Sequence, residues 1–281
     1  MCIRDSRNSC SYCGFHREPT SMSDCYLSIE SISRKLDEAL RADVSEILIT
    51  LGDKPELKYP IAEKWLINNG YNSTIDYVYE IAQLCIDKGL LPHINAGVMN
   101  KQDLRRLKNV SASMGLMLES TSRRLMGKGM PHEFSPDKDP SERLRVITSA
   151  GELKIPFTTG ILIGIGESHE EIVDALFTLR NLSLKYNHIQ EVILQNFQPQ
   201  VATPMGNFPA PTIETMKKVI ILARIILPLT VAIQAPPNLV QNNDLPSLLQ
   251  CGVNDWGGIS PVTPDYINIS HKWPSESQLR K

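Results

Sequence analysis

Short apolar runs of strand length alternate along the whole chain with stretches of helical period, and no other feature limits the possible folds so strongly. The runs are EILITLG (46–52), LPHINAG (91–97), SMGLMLE (113–119), PFTTGILIGIG (156–166), QEVILQNF (190–197), LTVAIQAP (229–236) and VNDWGGIS (253–260). Between them, Ile29, Ile32, Leu36 and Leu40 recur at three- and four-residue steps behind Ser28, a predicted N-cap. Ser168 with Glu171 reads as a capping box ahead of Ile172, Ala175, Leu176, Leu179 and Leu182. Such repetition requires parallel strands joined by right-handed crossovers, which leaves a barrel or an open doubly wound sheet. Polar or Gly-rich residues follow nearly every run: Gly52 and Asp53, His93 and Asn95, Glu119, Gly166 and Glu167, Gln195 and Asn196, Gln234, and Asp255. A ring of such strand ends predicts an α/β barrel with one active face, because an open sheet would gather them at a single crevice. The segment 55–74 interrupts the rhythm with Pro, Gly and Asn and is expected to cap the mouth.

A length of 281 residues suits one large domain, and no linker or charge run marks a boundary. Lys and Arg (29) nearly balance Asp and Glu (31), so no overall field recruits nucleic acid or an acidic membrane. The six cysteines are unlike a secreted disulfide framework and point to a reducing cytoplasm: Cys2, Cys10, Cys13 and Cys25 crowd the start, while Cys85 and Cys251 stand alone. No apolar run reaches the roughly 18 to 20 residues that span a bilayer.

Cys10 and Cys13 form a C-x2-C pair in RNSCSYCGF. Such a pair suits zinc, an inert pair of thiols or an iron-sulfur cluster, and no second C-x2-C or His pair completes a tetrahedral zinc site. The remaining reading is an iron-sulfur cluster, and the pair resembles part of the loop of radical S-adenosylmethionine (SAM) enzymes, Cys-x3-Cys-x2-Cys with an aromatic residue, here Tyr12, before the last cysteine. Three thiolates on such a loop hold three irons of a [4Fe-4S] cluster and leave the fourth open to SAM.

Beyond this loop, TLGDKPE (50–56), GYNSTIDY (70–77), SMGLMLESTSRRL (113–125), SPDKDP (135–140), PFTTGILIGIGE (156–167), HIQEVILQNF (188–197), IQAPPNL (233–239) and DWGGISPVTPD (255–265) resemble the CofG family. That family is the radical SAM subunit 1 of 7,8-didemethyl-8-hydroxy-5-deazariboflavin (FO) synthase. The resemblance runs from Arg7 to the C-terminus and implies a radical SAM (β/α) TIM-type barrel, a [4Fe-4S] cluster and SAM. It implies a lyase of coenzyme F-420 biosynthesis that completes the deazaflavin from an adduct of a tyrosine-derived hydroxybenzyl group with 5-amino-6-(D-ribitylamino)uracil. The functional partner would be the CofH subunit, which makes that adduct. A CofH-type radical SAM barrel and a zinc-stabilised binding module are the alternatives.

By resemblance, Cys10 and Cys13 are metal ligands, and Gly52, Asp53 and Glu56 belong to the motif for the SAM amine. Glu119 and Arg124 would hold the ribose or methionine part, and Gly160, Gly164 and Glu167 the strand beside adenine. A plain turn at Gly52 and a surface ion pair at Arg124 are the bland readings. Asn95, Gln195, Asn196, Gln234, Asn238 and Asp255 are expected as substrate contacts at the mouth. Counting back from Cys10 with the x3 spacing lands on Ser6, whose hydroxyl does not ionise at pH 7 as a cluster-bound thiolate does. Cys2 lies eight positions before Cys10 and would reach a cluster only after refolding of the loop. Residues 1–6 are therefore read as a non-native start, the domain as 7–281, and the first barrel strand as missing.

Overall fold

A computed structural model describes residues 2–3 and 6–280. Seven strands, β1 (Cys2–Ile3), β2 (Glu46–Leu51), β3 (Leu91–Asn95), β4 (Ser113–Gly115), β5 (Phe157–Ile163), β6 (Ile189–Asn196) and β7 (Ala232–Gln234), lie side by side in chain order. Every neighbouring pair is parallel. The helices are α1 (Met22–Cys25), α2 (Ile29–Arg41), α3 (Pro60–Asn68), α4 (Thr74–Asp87), α5 (Lys101–Leu107), α6 (Pro140–Glu152), α7 (His169–Tyr186), α8 (Ile213–Ile226), α9 (Leu245–Cys251) and α10 (Glu276–Leu279). At least one of α2 and α4 to α8 separates each strand from the next.

The sheet curls. Thr50 of β2 and Gln195 of β6 line the same cavity, although four strand spacings of about 4.8 Å would separate them by roughly 19 Å in a flat sheet. All seven residues of β5 are buried, as expected of a strand covered on both faces. The core joins strand residues Ile49, Ile94, Met114, Phe157 and Leu194 to the inward stripes of the helices, among them Leu36, Ile81, Ile147, Leu176 and Ile220. Each side chain of this kind contributes about 1.5–3 kcal/mol on burial. The predicted caps form: Ser28 accepts from the Ser31 N–H, and Ser168 and Glu171 complete a capping box that starts α7.

The structure departs from the sequence reading at four places. The two-residue β1 pairs with Thr50 and Leu51 where no strand is expected. The run 253–260 forms no strand and keeps only a single bridge from Asp255 to Gln234, because Asn254, Trp256 and two glycines supply no alternating apolar face. The run 113–119 pairs regularly only to Gly115. Beyond it, Leu116 N–H bonds Thr158 and Glu119 N–H bonds Gly160, so three residues on one strand span two on the other. This bulge leaves Glu119 in the left-handed region (φ 66°), a conformation that costs a non-glycine residue energy and that recurs at functional sites.

The fourth departure is the segment 55–74, none of which lines the central cavity. Trp65 and Tyr71 instead stack with Tyr26 and Tyr77 at the flank, with ring centroids 4.6 Å apart for Tyr26 and Trp65 and 4.9 Å for Tyr71 and Tyr77. Aromatic area buried against α4 outweighs any tendency of these residues to cover the mouth.

Candidate active site

The C-terminal strand ends surround one open cavity of about 1150 Å³, its mouth included. The loop from Ser6 to Cys13 forms one wall, held along residues 131–137 by backbone bonds from Ser9 to Phe134 and from Ser11 to Pro131, at 3.0 and 2.9 Å. Arg7 anchors it through a bidentate pair with the Asp137 carboxylate, both contacts at 2.5 Å, and the Asn8 side chain accepts the Asp137 N–H at 3.0 Å. Cys10 and Cys13 are free, half-buried thiols, and Ser135 Oγ donates to Cys10 Sγ at 3.2 Å. Ser6 lines the same cavity, but its Oγ accepts the backbone N–H groups of Asn8 and Asp53 at 3.2 and 3.1 Å. The Cys2 side chain lies outside the described residues.

Charged groups cluster beside this loop. Asp53 is 5% exposed; its Oδ2 accepts the Val98 N–H at 3.0 Å, while Oδ1 is buried with no partner. Burial, reinforced by Asp137, pushes its carboxyl up to about 6. A Cβ on Gly97 (φ 74°) would overlap that carboxylate, so glycine there makes the close approach possible. Glu119 pairs with Lys138. Burial alone would raise its pKa, but Lys138 and Arg143 outweigh that and hold it below the ordinary value. Arg143 donates to the backbone carbonyls of Asp137, at 2.9 Å, and Met117, tying the bulge to the segment under the cysteine loop. Tyr12 shares a hydrogen bond of 3.0 Å with His132, whose imidazole burial drives down to about 3, leaving it neutral.

Neutral amides occupy much of the remaining lining: Asn95, Gln195, Asn196, Gln198, Gln200 and Asn268. Asn196 and Gln198 each spend an N–H on the Leu239 carbonyl, at 2.8 and 3.0 Å. Gln200 Nε2 is buried without a partner.

Of the residues expected from sequence, Cys10, Cys13, Gly52, Asp53, Asn95, Glu119, Gln195 and Asn196 meet in this cavity. The others serve elsewhere. Glu56 accepts Thr74 N–H and Oγ1 at 3.1 and 2.7 Å and so fixes the start of α4. Arg124 forms the ion pair that was its bland reading, with Glu171 at 2.8 Å, and is half-exposed. Gly160 packs where a Cβ would strike the Ile193 carbonyl, and Glu167 accepts the Gly164 and Ile165 N–H groups at 2.6 and 2.9 Å, closing the turn after β5.

Gln234 is in register with Ile193, one inward position below Gln195, and Asp255 bridges to it at the same level. Both therefore sit beneath the mouth. His93 lies one inward position below Asn95, bonded to Ser113 at 2.7 Å, with burial lowering its pKa to about 4. Asn238 gives both N–H groups to the C-terminal segment, Asp265 and His271. The sequence reading missed Lys138, Arg143, Gln198, Gln200 and Asn268. The quoted SPDKDP contains Lys138 and was the one available signal; the others sit outside any motif.

A curled parallel barrel with a two-thiol loop and buried opposite charges at its mouth is the arrangement expected of a radical SAM protein. Residues 3–179 match the Radical SAM superfamily. The fold is also that of the FeFe-hydrogenase maturase HydG from Carboxydothermus hydrogenoformans, with a TM-score of 0.76 and 21% identity over 98% of this chain and 62% of that one. The chain is 45% identical to 7,8-didemethyl-8-hydroxy-5-deazariboflavin synthase of Methanopyrus kandleri, over 98% of this chain and 82% of that protein. It is likewise 45% identical to FO synthase of Mycobacterium tuberculosis, over 97% of this chain but 33% of that protein. The chain belongs to the CofG-type FO synthase family, radical SAM enzymes of coenzyme F420 biosynthesis.

Membership of the superfamily implies a [4Fe-4S] cluster and SAM. The SAM side fits the residues present: Asp53 Oδ1 is a buried acceptor without a donor, and Lys138 and Arg143 are cations on the same cavity. Among the described residues the cluster side fits at two corners. Cys10 and Cys13 supply two thiolates, the third position is a hydroxyl already engaged with two backbone N–H groups, and among the described residues no group of three or more His, Cys, Asp or Glu could hold a metal ion. Among the described residues no helix is long and apolar enough to cross a membrane.

Proposed function

We propose that the activity of this chain's family is carried out here as conversion of 5-amino-5-(4-hydroxybenzyl)-6-(D-ribitylimino)-5,6-dihydrouracil to FO with release of ammonia. The observation that carries this reading is one cavity that brings together Cys10 and Cys13, the charged groups Asp53, Glu119, Lys138 and Arg143, and the neutral amides Asn95, Gln195 and Asn196. The charged groups suit a zwitterion. Asp53 Oδ1 would accept from the SAM ammonium, and Lys138 and Arg143 would face its carboxylate. The amides suit a uracil ring and a ribityl chain, which need several donors and acceptors. A complete cluster with bound SAM would supply a 5'-deoxyadenosyl radical; with Ser6 at the third corner, the described residues offer two of the three thiols that would hold it.

Free tyrosine as the radical substrate would instead need a second paired anion and cation site, whereas Asp53, Lys138 and Arg143 are assigned to one zwitterion and the remaining charge, Glu119, is paired with Lys138. The adduct would come from a CofH-type partner. That reading is supported by the mycobacterial FO synthase, of which this chain spans a third. The test is anaerobic incubation of the Ser6→Cys protein with SAM and a reductant, supplied with either the adduct or tyrosine plus the diaminouracil. Deazaflavin fluorescence from the adduct alone supports the assignment. Its formation from tyrosine and the diaminouracil, without a partner, would overturn it.

A further inference from the structure

Beyond β7 the chain returns to the mouth. Ile267 and Asn268, in a segment without regular secondary structure, line the same cavity as Cys10 and Gln195. One carboxylate organises that segment. Asp265 Oδ1 accepts the N–H groups of Ile267 and Asn268 at 2.9 and 3.1 Å, and its Oδ2 accepts Nδ2 of Asn238 at 2.9 Å and Nδ2 of Asn268 at 3.1 Å. Asn238 gives its other contact to the His271 carbonyl at 3.2 Å, and the His271 N–H returns to the Asn268 carbonyl at 2.8 Å. The segment 265–271 is thus stitched to the residues after β7 through Asp265 and Asn238.

We propose that residues 265–271 are a substrate strap, in which Asp265 is a positioning residue and Asn268 a specificity contact for the neutral heterocycle or polyol of the substrate. Asn268 is 7% exposed yet lines the cavity. One of its N–H groups is spent on Asp265, which leaves its side-chain oxygen and the other N–H to pair with a ligand. A second observation points the same way. Gln200 Nε2, on the same cavity, is a buried donor with no acceptor in the protein, a state that a ligand carbonyl or hydroxyl relieves. Both lie on the one cavity and offer donor and acceptor groups of neutral character. The identity of the ligand rests on the proposed function; the positioning by Asp265 does not.

The experiment is a fluorescence titration of the protein with FO, which needs no cluster, combined with hydrogen exchange of residues 262–272. Wild type is expected to bind FO and to protect the strap amides on binding. Asn268→Ala is expected to bind FO on the order of tenfold more weakly, the size expected for losing one or two hydrogen bonds, with strap exchange before ligand is added raised less than in Asp265→Asn because only one bond to Asp265 is lost. Asp265→Asn presents an N–H where two side-chain donors need an acceptor, so it should weaken FO binding similarly and also speed strap exchange. Asp265→Glu, which keeps both acceptors, should recover part of the affinity. Wild-type FO affinity in both Asn268→Ala and Asp265→Asn overturns the proposal. Should wild type itself fail to bind FO, the assigned substrate falls, and exchange decides the strap: faster in Asp265→Asn upholds it, unchanged overturns it.

Discussion

Replacing Asp53 by Asn should make the protein more stable at pH 7 while removing a binding group. The Asp53 carboxyl is raised from 3.8 to about 6, chiefly by burial. A raised carboxyl favours the protonated folded state, so its stabilising contribution is complete below pH 3.8 and is lost as pH climbs through 6. The loss is roughly 2 pKa steps of 1.36 kcal/mol, about 3 kcal/mol at pH 7. Asn keeps the acceptor for the Val98 N–H and places a neutral amide where Oδ1 stands without a partner. That unpaired donor costs about 1 kcal/mol, leaving a net gain of about 2 kcal/mol, or roughly 4 °C in melting temperature for a chain of this size. Thermal unfolding followed by circular dichroism at pH 7 and pH 3.5 reads it: the variant melts higher at pH 7, and the difference shrinks or reverses at pH 3.5. A variant that melts at or below wild type at pH 7 would refute the argument that Asp53 is held charged for a ligand at the expense of the fold.

Three further outcomes are expected. Ser6→Cys should bind several times more iron and sulfide than wild type after anaerobic reconstitution, because it supplies the third thiolate beside Cys10 and Cys13; equal content would remove Ser6 from the cluster site. In that background Cys10→Ala or Cys13→Ala should abolish cluster absorbance, whereas Cys85→Ala should not, since Cys85 is buried in the core and does not line the cavity; loss of the cluster in Cys85→Ala would contradict the ligand set. Glu119→Gln leaves the largely buried Lys138 facing no carboxylate and should cost about 3 kcal/mol of stability in urea unfolding, with an unchanged midpoint counting against the buried pair.

The barrel was legible because its signal is periodic. β2, β3, β5 and β7 fall within the apolar runs, β6 begins one residue before its own, and the Ser28 and Ser168 caps form as the spacing predicts. The irregular parts were not legible. The bulge at 116–119 depends on hydrogen bonds to β5 rather than on its own sequence, and the run at 253–260 has too little alternation to become a strand. In the site, residues next to regular strand ends were found: Asp53, Asn95, Glu119, Gln195 and Asn196. Gln234 and Asp255 were placed too high because a run of letters does not fix parallel register, and register decides the layer. Lys138, Arg143 and Asn268 reach the cavity from a loop, a helix start and a distant C-terminal segment, where only long-range packing brings them together. Glu56 and Glu167 have the composition of ligand contacts but accept backbone N–H groups, a use that sequence alone does not distinguish.

The most direct test of the central claim is deazaflavin formation by the reconstituted Ser6→Cys protein under anaerobic conditions, with the adduct present and SAM either supplied or withheld. The account predicts 5'-deoxyadenosine and deazaflavin fluorescence together when both SAM and adduct are present, and no deazaflavin when SAM is withheld. Deazaflavin produced without SAM, or SAM cleaved at speed with the adduct left unconverted, would contradict it.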